Sequence, residues 1–283
     1  MPFILTCPAS RGITFELTRQ LLRTANLPIV ATARKNLKEA KCRLLDGLEV
    51  KSHEERLQVL ELDVCDERSI SRVAEQLHER FPQSTSAEKA SNYLHLALMT
   101  PGILYPEKSA SQLDIEQITR TFQVNTISHM LLWKHFSPFL PKKSTTLMTS
   151  HTSSSPDSSA EATALPCRAV YALMSARVGS TSDNTSGGWY SYRASKAAVN
   201  SLARSFDIDT RRSAGDNSMV IALHPGTVKT EFSREFWSSA KKGRGLLGVE
   251  EASRNLLGVI DKVGGKRENG GRCWDWRGEE VLP

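Results

Sequence analysis

The stretch Phe3-Ile4-Leu5-Thr6-Cys7, then Pro8-Ala9-Ser10, then Arg11 to Leu22 decides the fold. Five mostly apolar residues form a run too short for a helix. From Arg11 onward the apolar residues Ile13, Leu17 and Leu21 recur at helical spacing on one face. The stretch therefore predicts strand, turn, helix. The same alternation continues along the chain. Apolar runs at Pro28 to Ala33, Leu57 to Val64, Tyr93 to Met99, Ala169 to Ser175 and Met219 to Leu223 predict strands, with a last short one near Arg272 to Trp276. Helical spacing covers Asp66 to Phe81, opening on acids as the helix dipole favours, then Tyr190 to Arg212 and Glu250 to Val263. Asp114 to Leu140 predicts two successive helices. Apolar strands alternating with helices imply an α/β fold, a doubly wound parallel sheet of about seven strands with helices on both faces, in one domain over 1–283.

Composition narrows the function. Of 283 residues, 39% are hydrophobic and 24% charged, as in ordinary globular proteins. Lysine plus arginine exceed aspartate plus glutamate by 37 − 31 = 6, but the excess is scattered, so no nucleic-acid partner is expected. No apolar run approaches the roughly 18 residues of a membrane span, so no membrane partner is expected either. The five cysteines, an odd number without close pairs, fit a reducing, cytoplasmic setting and no metal site. Serine hydrolysis lacks its Gly-x-Ser-x-Gly elbow, and the histidines lack a His-Glu-x-x-His pair.

In a doubly wound sheet, ligands bind beyond the carboxyl ends of the strands. The first such turn, Cys7 to Thr14, keeps one glycine, Gly12, which alone fits a plain turn before a helix as well as a phosphate cradle. With Ala9-Ser10-Arg11-Gly12-Ile13 intact, the turn resembles the Gly-x-x-x-Gly-x-Gly segment of the short-chain dehydrogenase/reductase superfamily, Pro8 and Thr14 replacing the outer glycines. The resemblance implies a Rossmann fold and contacts to a dinucleotide from Ser10, Arg11, Gly12 and Ile13. It adds Asp63 and Val64 after the third strand, and Gly102 in Met99-Thr100-Pro101-Gly102, where the superfamily usually has Asn-Asn-Ala-Gly. After the second strand no acid stands ready for a free ribose diol. Arg34 stands there instead, and a guanidinium suits a 2′-phosphate, so NADP(H) is the expected cofactor; a solvated loop charge is the plainer alternative.

Tyr190-Ser191-Tyr192-Arg193-Ala194-Ser195-Lys196 places Tyr192 and Lys196 four apart, on one helical face. It follows Ser175-Ala176-Arg177-Val178-Gly179-Ser180 and precedes His224-Pro225-Gly226-Thr227-Val228-Lys229-Thr230. This order resembles the superfamily's catalytic set, and the serine segment is similar to that of C-factor-like and sniffer-like carbonyl reductases. The resemblance makes Tyr192 the general acid/base, Lys196 its activator and ribose ligand, and Ser175 the carbonyl polariser. Asn125, in Phe122-Gln123-Val124-Asn125, would be the fourth member, holding a helix irregularity. Pro225, Gly226, Val228 and Thr230 would join Asn125, Tyr192 and Lys196 around the nicotinamide end. A phenol with a pKa near 10 needs such an ammonium to exchange protons at neutral pH. Each residue also has an ordinary reading: a strand-end cap for Ser175, a helix-interior amide for Asn125, a packed ring for Tyr192.

The expected activity is NADP(H)-dependent interconversion of a small-molecule carbonyl and its alcohol, by an enzyme expected to form a homodimer or homotetramer. The rival is a non-catalytic NADP-binding regulator of the same fold. Phe232, Phe236 and Trp237, in an expected substrate loop over 226–248, suit an apolar lid, a partner interface or core packing. A serine- and threonine-rich stretch at 145–168 predicts a polar loop insertion.

Overall fold

The computed structural model describes residues 1–48, 53–82, 92–147, 165–237 and 245–283. The opening stretch forms strand β1 (Pro2–Cys7) and helix α1 (Gly12–Thr24), with Gly12 at φ +68°, a left-handed conformation that favours glycine. Then follow β2 (Ile29–Ala33), α2 (Leu37–Leu45), β3 (Leu57–Glu61), α3 (Glu67–Arg80) and β4 (Tyr93–Met99). The second half contains α4 (Ile115–Phe122), α5 (Ser128–Phe136), β5 (Ala169–Met174), α6 (Tyr190–Ala214), β6 (Ser218–His224), α7 (Val249–Gly264), β7 (Cys273–Asp275) and β8 (Glu280–Val281).

The sheet order is β3-β2-β1-β4-β5-β6-β7-β8, parallel throughout except for the last pair. Order reverses between β1 and β4, so a crevice opens at their carboxyl ends, where Gly12 and Gly102 lie. The strands are buried on both faces because helices cover both. Leu17, Leu21 and Leu22 of α1, Leu44 of α2 and Leu256 and Ile260 of α7 pack on one side. Ile70, Val73 and Leu77 of α3, Leu132 and Phe136 of α5 and Val199 and Ala203 of α6 pack on the other. Burying each such leucine or isoleucine contributes about 1.5–3 kcal/mol.

One expectation needs correction. There are eight strands, not about seven: Glu280–Val281 returns antiparallel against β7, and two residues are too short to give a periodic signal. Helix α2 carries too few buried residues, Ala40, Leu44 and Leu45, to have stood out as an apolar face. The region 114–140 holds the two successive helices expected, α4 and α5, joined by a π turn at Gln123–Ile127. Most of the expected insertion, residues 148–164, lies outside the described residues, as do 238–244 of the expected substrate loop and the side chain of Phe236.

Candidate active site

At the crevice, Gly12 has nothing within 4 Å of where a Cβ would stand, which leaves the turn open for close approach. Arg11, which precedes it, and Arg34, which follows β2, are exposed, and neither forms an ion pair among the described residues. Asp63 turns inward on its own loop, its Oδ1 accepting from the Cys65 N–H at 2.9 Å. Thr230 caps the short helical turn Glu231–Phe236. Gly226, at φ +77°, follows β6, and a Cβ there would stand 2.8 Å from the Trp276 ring.

A second group of residues converges at the start of α6. Asn125 sits in the π turn, whose widened backbone turns the side chain inward. Its Oδ1 accepts from the Ile103 N–H at 2.8 Å, and its Nδ2 donates to Ile103 O at 2.9 Å and to Ser195 Oγ at 3.1 Å. The amide thus ties the loop after β4 to α6. Lys196 is buried and donates to Met174 O at 2.8 Å, across to the end of β5. Its ammonium lies 5.8 Å from the centre of the Tyr192 ring. A Cβ on Gly102 would stand 3.7 Å from Lys196 Nζ, 4.0 Å from Asn125 Oδ1 and 3.9 Å from Phe232 Cε2. Gly102, Asn125, Tyr192 and Lys196 therefore share one site. Burial pushes the Tyr192 phenol above its ordinary range and pulls the Lys196 ammonium down to about 8. The phenol is a held proton donor and the lysine remains mostly charged at neutral pH.

Trp189 and Phe232 flank Tyr192, each with ring centroids 6.2 Å from it. Trp189 caps α6 from a left-handed conformation, φ +52°. The buried Glu107 holds this entry: its carbonyl accepts from the Trp189 N–H at 2.6 Å and its carboxylate from the Ser191 hydroxyl. Neither Trp189 nor Glu107 was singled out from the sequence, because neither belongs to a periodic pattern. Ser175 is buried at the end of β5, but its hydroxyl donates to Asn200 Oδ1 at 2.6 Å and lies 3.3 Å from Lys196 O.

No family model matches the chain. It is 26% identical over 263 residues to the 1-hydroxy-2-glutathionyl-2-methyl-3-butene dehydrogenase of Rhodococcus sp. (strain AD45), an alignment covering 93% of this chain and 92% of that protein. The NADPH-bound carbonyl reductase from chicken fatty liver superposes with a TM-score of 0.73 at 24% identity, over 99% of this chain and 98% of that one. Carbonyl reductase Sniffer of D. melanogaster gives 0.72 at 22% identity, over 100% and 98%. Over nearly its whole length the chain is thus similar to a dehydrogenase, and it shares the fold of carbonyl reductases.

The chain departs from the pattern that its sequence resembles at Pro8, Thr14 and Met99-Thr100-Pro101, and the structure relates two of these residues. The Thr14 and Thr100 hydroxyls are hydrogen-bonded to each other across the crevice, and the Thr100 N–H donates to Cys7 O at 2.7 Å. The two hydroxyls satisfy each other and tie the first turn of α1 to the end of β4, while the Thr100 N–H bond holds the ends of β1 and β4 together. The open Gly12 turn, with the exposed Arg11 next to it in the chain, suits an anionic dinucleotide.

Proposed function

We propose that the chain is an NADP(H)-dependent oxidoreductase that reduces a small-molecule carbonyl to an alcohol. The observation that carries this reading is the buried Tyr192 with the Lys196 ammonium over its ring, and that ammonium in turn beside the Gly102 backbone. The superfamily and the NADPH-bound fold neighbour support the choice of cofactor. Ser10, Arg11, Gly12 and Ile13 would cradle the pyrophosphate, Arg34 would pair with the 2′-phosphate, and Asp63 and Val64 would border the adenine. Gly102, Pro225, Gly226, Val228 and Thr230 would border the nicotinamide end.

When bound, the reduced nicotinamide supplies a hydride to the carbonyl carbon. Tyr192 donates its phenolic proton to the carbonyl oxygen. Burial opposes the charge of the phenolate left behind, and the Lys196 ammonium, 5.8 Å from the ring centre, is the cation placed to stabilise it. Asn125 positions the loop after β4 against α6 so that Gly102 and Lys196 stay in register. Trp189 and Phe232 offer apolar walls to the substrate.

Homo-oligomerisation through α4, α5 and α6 is supported by the exposed Ile115, Ile127, Met130 and Ile208. A reducing, cytoplasmic setting fits the five free cysteines. The test of the main reading is NADPH oxidation across a panel of ketones and aldehydes. Tyr192→Phe is expected to lower turnover by about 10²–10⁴-fold with NADPH binding intact. A regulator that binds NADPH without turnover is the second reading, favoured by the commitment of the Ser175 hydroxyl to Asn200. Tight NADPH binding with no turnover on any carbonyl would select it.

A further inference from the structure

Backbone conformation singles out one residue beside Tyr192. Among the described residues, two other than glycine have a positive φ, Asn36 at +54° and Trp189 at +52°, and each stands at the N-cap of a helix, α2 and α6. Asparagine tolerates the left-handed region because its short polar side chain can bond locally, and a bulky indole has no such compensation. Tryptophan is also a poor N-cap, and its side chain makes no cap hydrogen bond here. At Asn36 the chain uses a residue that suits the conformation; at Trp189 it does not.

The surroundings enforce this conformation. Gly187 and Gly188, which precede Trp189, are also left-handed, at φ +61° and +63°. Arg193 Nε donates to both of their carbonyls, at 3.2 and 3.0 Å. The Trp189 N–H donates to Glu107 O at 2.6 Å, and the buried Glu107 carboxylate accepts from the Ser191 hydroxyl. A Cβ on Gly188 would stand 3.3 Å from the same Glu107 carbonyl, so the turn has little room to relax. Backbone strain that is held by so many contacts is characteristic of a side chain placed for function. What the turn places is a ring, 6.2 Å from the Tyr192 ring and inclined at 70° to it. Phe232 is a second ring at 6.2 Å from Tyr192, inclined at 53°. It is 45% exposed, and its Cε2 lies 3.9 Å from where a Cβ on Gly102 would stand. Two aromatic rings thus converge on the proton donor and neither is stacked on it. Aromatic walls gain more from another aromatic ring than its area alone supplies. Aliphatic walls would serve an aliphatic substrate without a strained backbone.

We propose that Trp189 is a specificity-determining residue that selects carbonyls borne on an aromatic ring, an inference that rests on the reductase reading above. The experiment compares benzaldehyde with cyclohexanecarbaldehyde, which share ring size and differ in planarity and π electrons. It measures kcat/KM for each aldehyde, the Kd for NADPH and Tm for the wild type, Trp189→Phe and Trp189→Asn. The ratio of the two kcat/KM values, taken relative to the wild type, cancels the intrinsic reactivity of the aldehydes. Trp189→Asn is expected to lower that ratio by about 3–10-fold, the size of one aromatic pair, with NADPH Kd unchanged and a Tm no lower than that of Trp189→Phe. Trp189→Phe, which keeps a ring, is expected to retain most of the ratio. An unchanged ratio in Trp189→Asn, an equal loss of the ratio in both variants, or a Tm for Trp189→Asn below that of Trp189→Phe overturns the assignment alone. So does a wild type that reduces only carbonyls without an aromatic ring. Absence of wild-type turnover on every carbonyl of a broad panel overturns the assignment and the reductase reading together.

Discussion

His129 provides a quantitative test of the packing behind the active site. It sits on α5 with its side chain fully buried, and neither ring nitrogen has a hydrogen-bond partner among the described residues. Burial, and secondarily the Lys196 charge, hold its pKa down to about 3, against about 6.5 in an unfolded chain. The folded state thus keeps the ring neutral while the unfolded state takes up a proton below about pH 6.5. Because the unfolded state binds more protons between about pH 3 and 6.5, stability falls as pH drops through that window. With these two pKa values, linkage gives a loss of about 1 kcal/mol at pH 5.5 and about 3 kcal/mol at pH 4.5. The perturbation is His129→Leu, which removes the titrating group and keeps an apolar side chain of similar bulk. Urea unfolding at pH 7.5, 5.5 and 4.5, for both proteins, reads the difference in stability while other titrating groups cancel. The gap is expected to shift in favour of the variant by those amounts as pH falls. A gap independent of pH would show that His129 is not held neutral by burial and would refute the packing described for α5 against α6.

Two further outcomes test other parts of the structure. Arg34→Ala is expected to weaken NADPH binding by roughly 10–150-fold, the equivalent of losing one charge-assisted hydrogen bond of about 1.5–3 kcal/mol, while NADH binding changes less than twofold; equal loss for both in a fluorescence titration would remove the 2′-phosphate contact. Asp207, buried on α6, accepts from the Val220 N–H and from Arg267 Nη1, both at 2.9 Å, so Asp207→Ala strands a buried guanidinium and should cost about 3–5 kcal/mol in urea unfolding. A loss under about 1 kcal/mol would mean that water already reaches Arg267.

The sequence by itself determined the layering and which side chains share one helix face. Apolar runs at strand length, alternating with faces such as Ile13, Leu17 and Leu21, leave a parallel sheet with helices on both sides as the way to bury them all, and the sheet order bears this out. Four-residue spacing put Tyr192 and Lys196 on one face, because the helix repeat is local. Tertiary structure alone decided where hydroxyls point and which distant segments meet. Ser175 looked like the donor in its motif, yet its proton goes to Asn200, 25 residues on. Thr14 and Thr100, two departures from the superfamily pattern, are partners across 86 residues. The edge strand β8 and the clasp of Glu107 on Ser191 and Trp189 likewise exist only between segments far apart in sequence. Periodicity reports which face of an element is buried. The rotamer of a small polar side chain is chosen by neighbours brought there by the fold, so no local pattern encodes it.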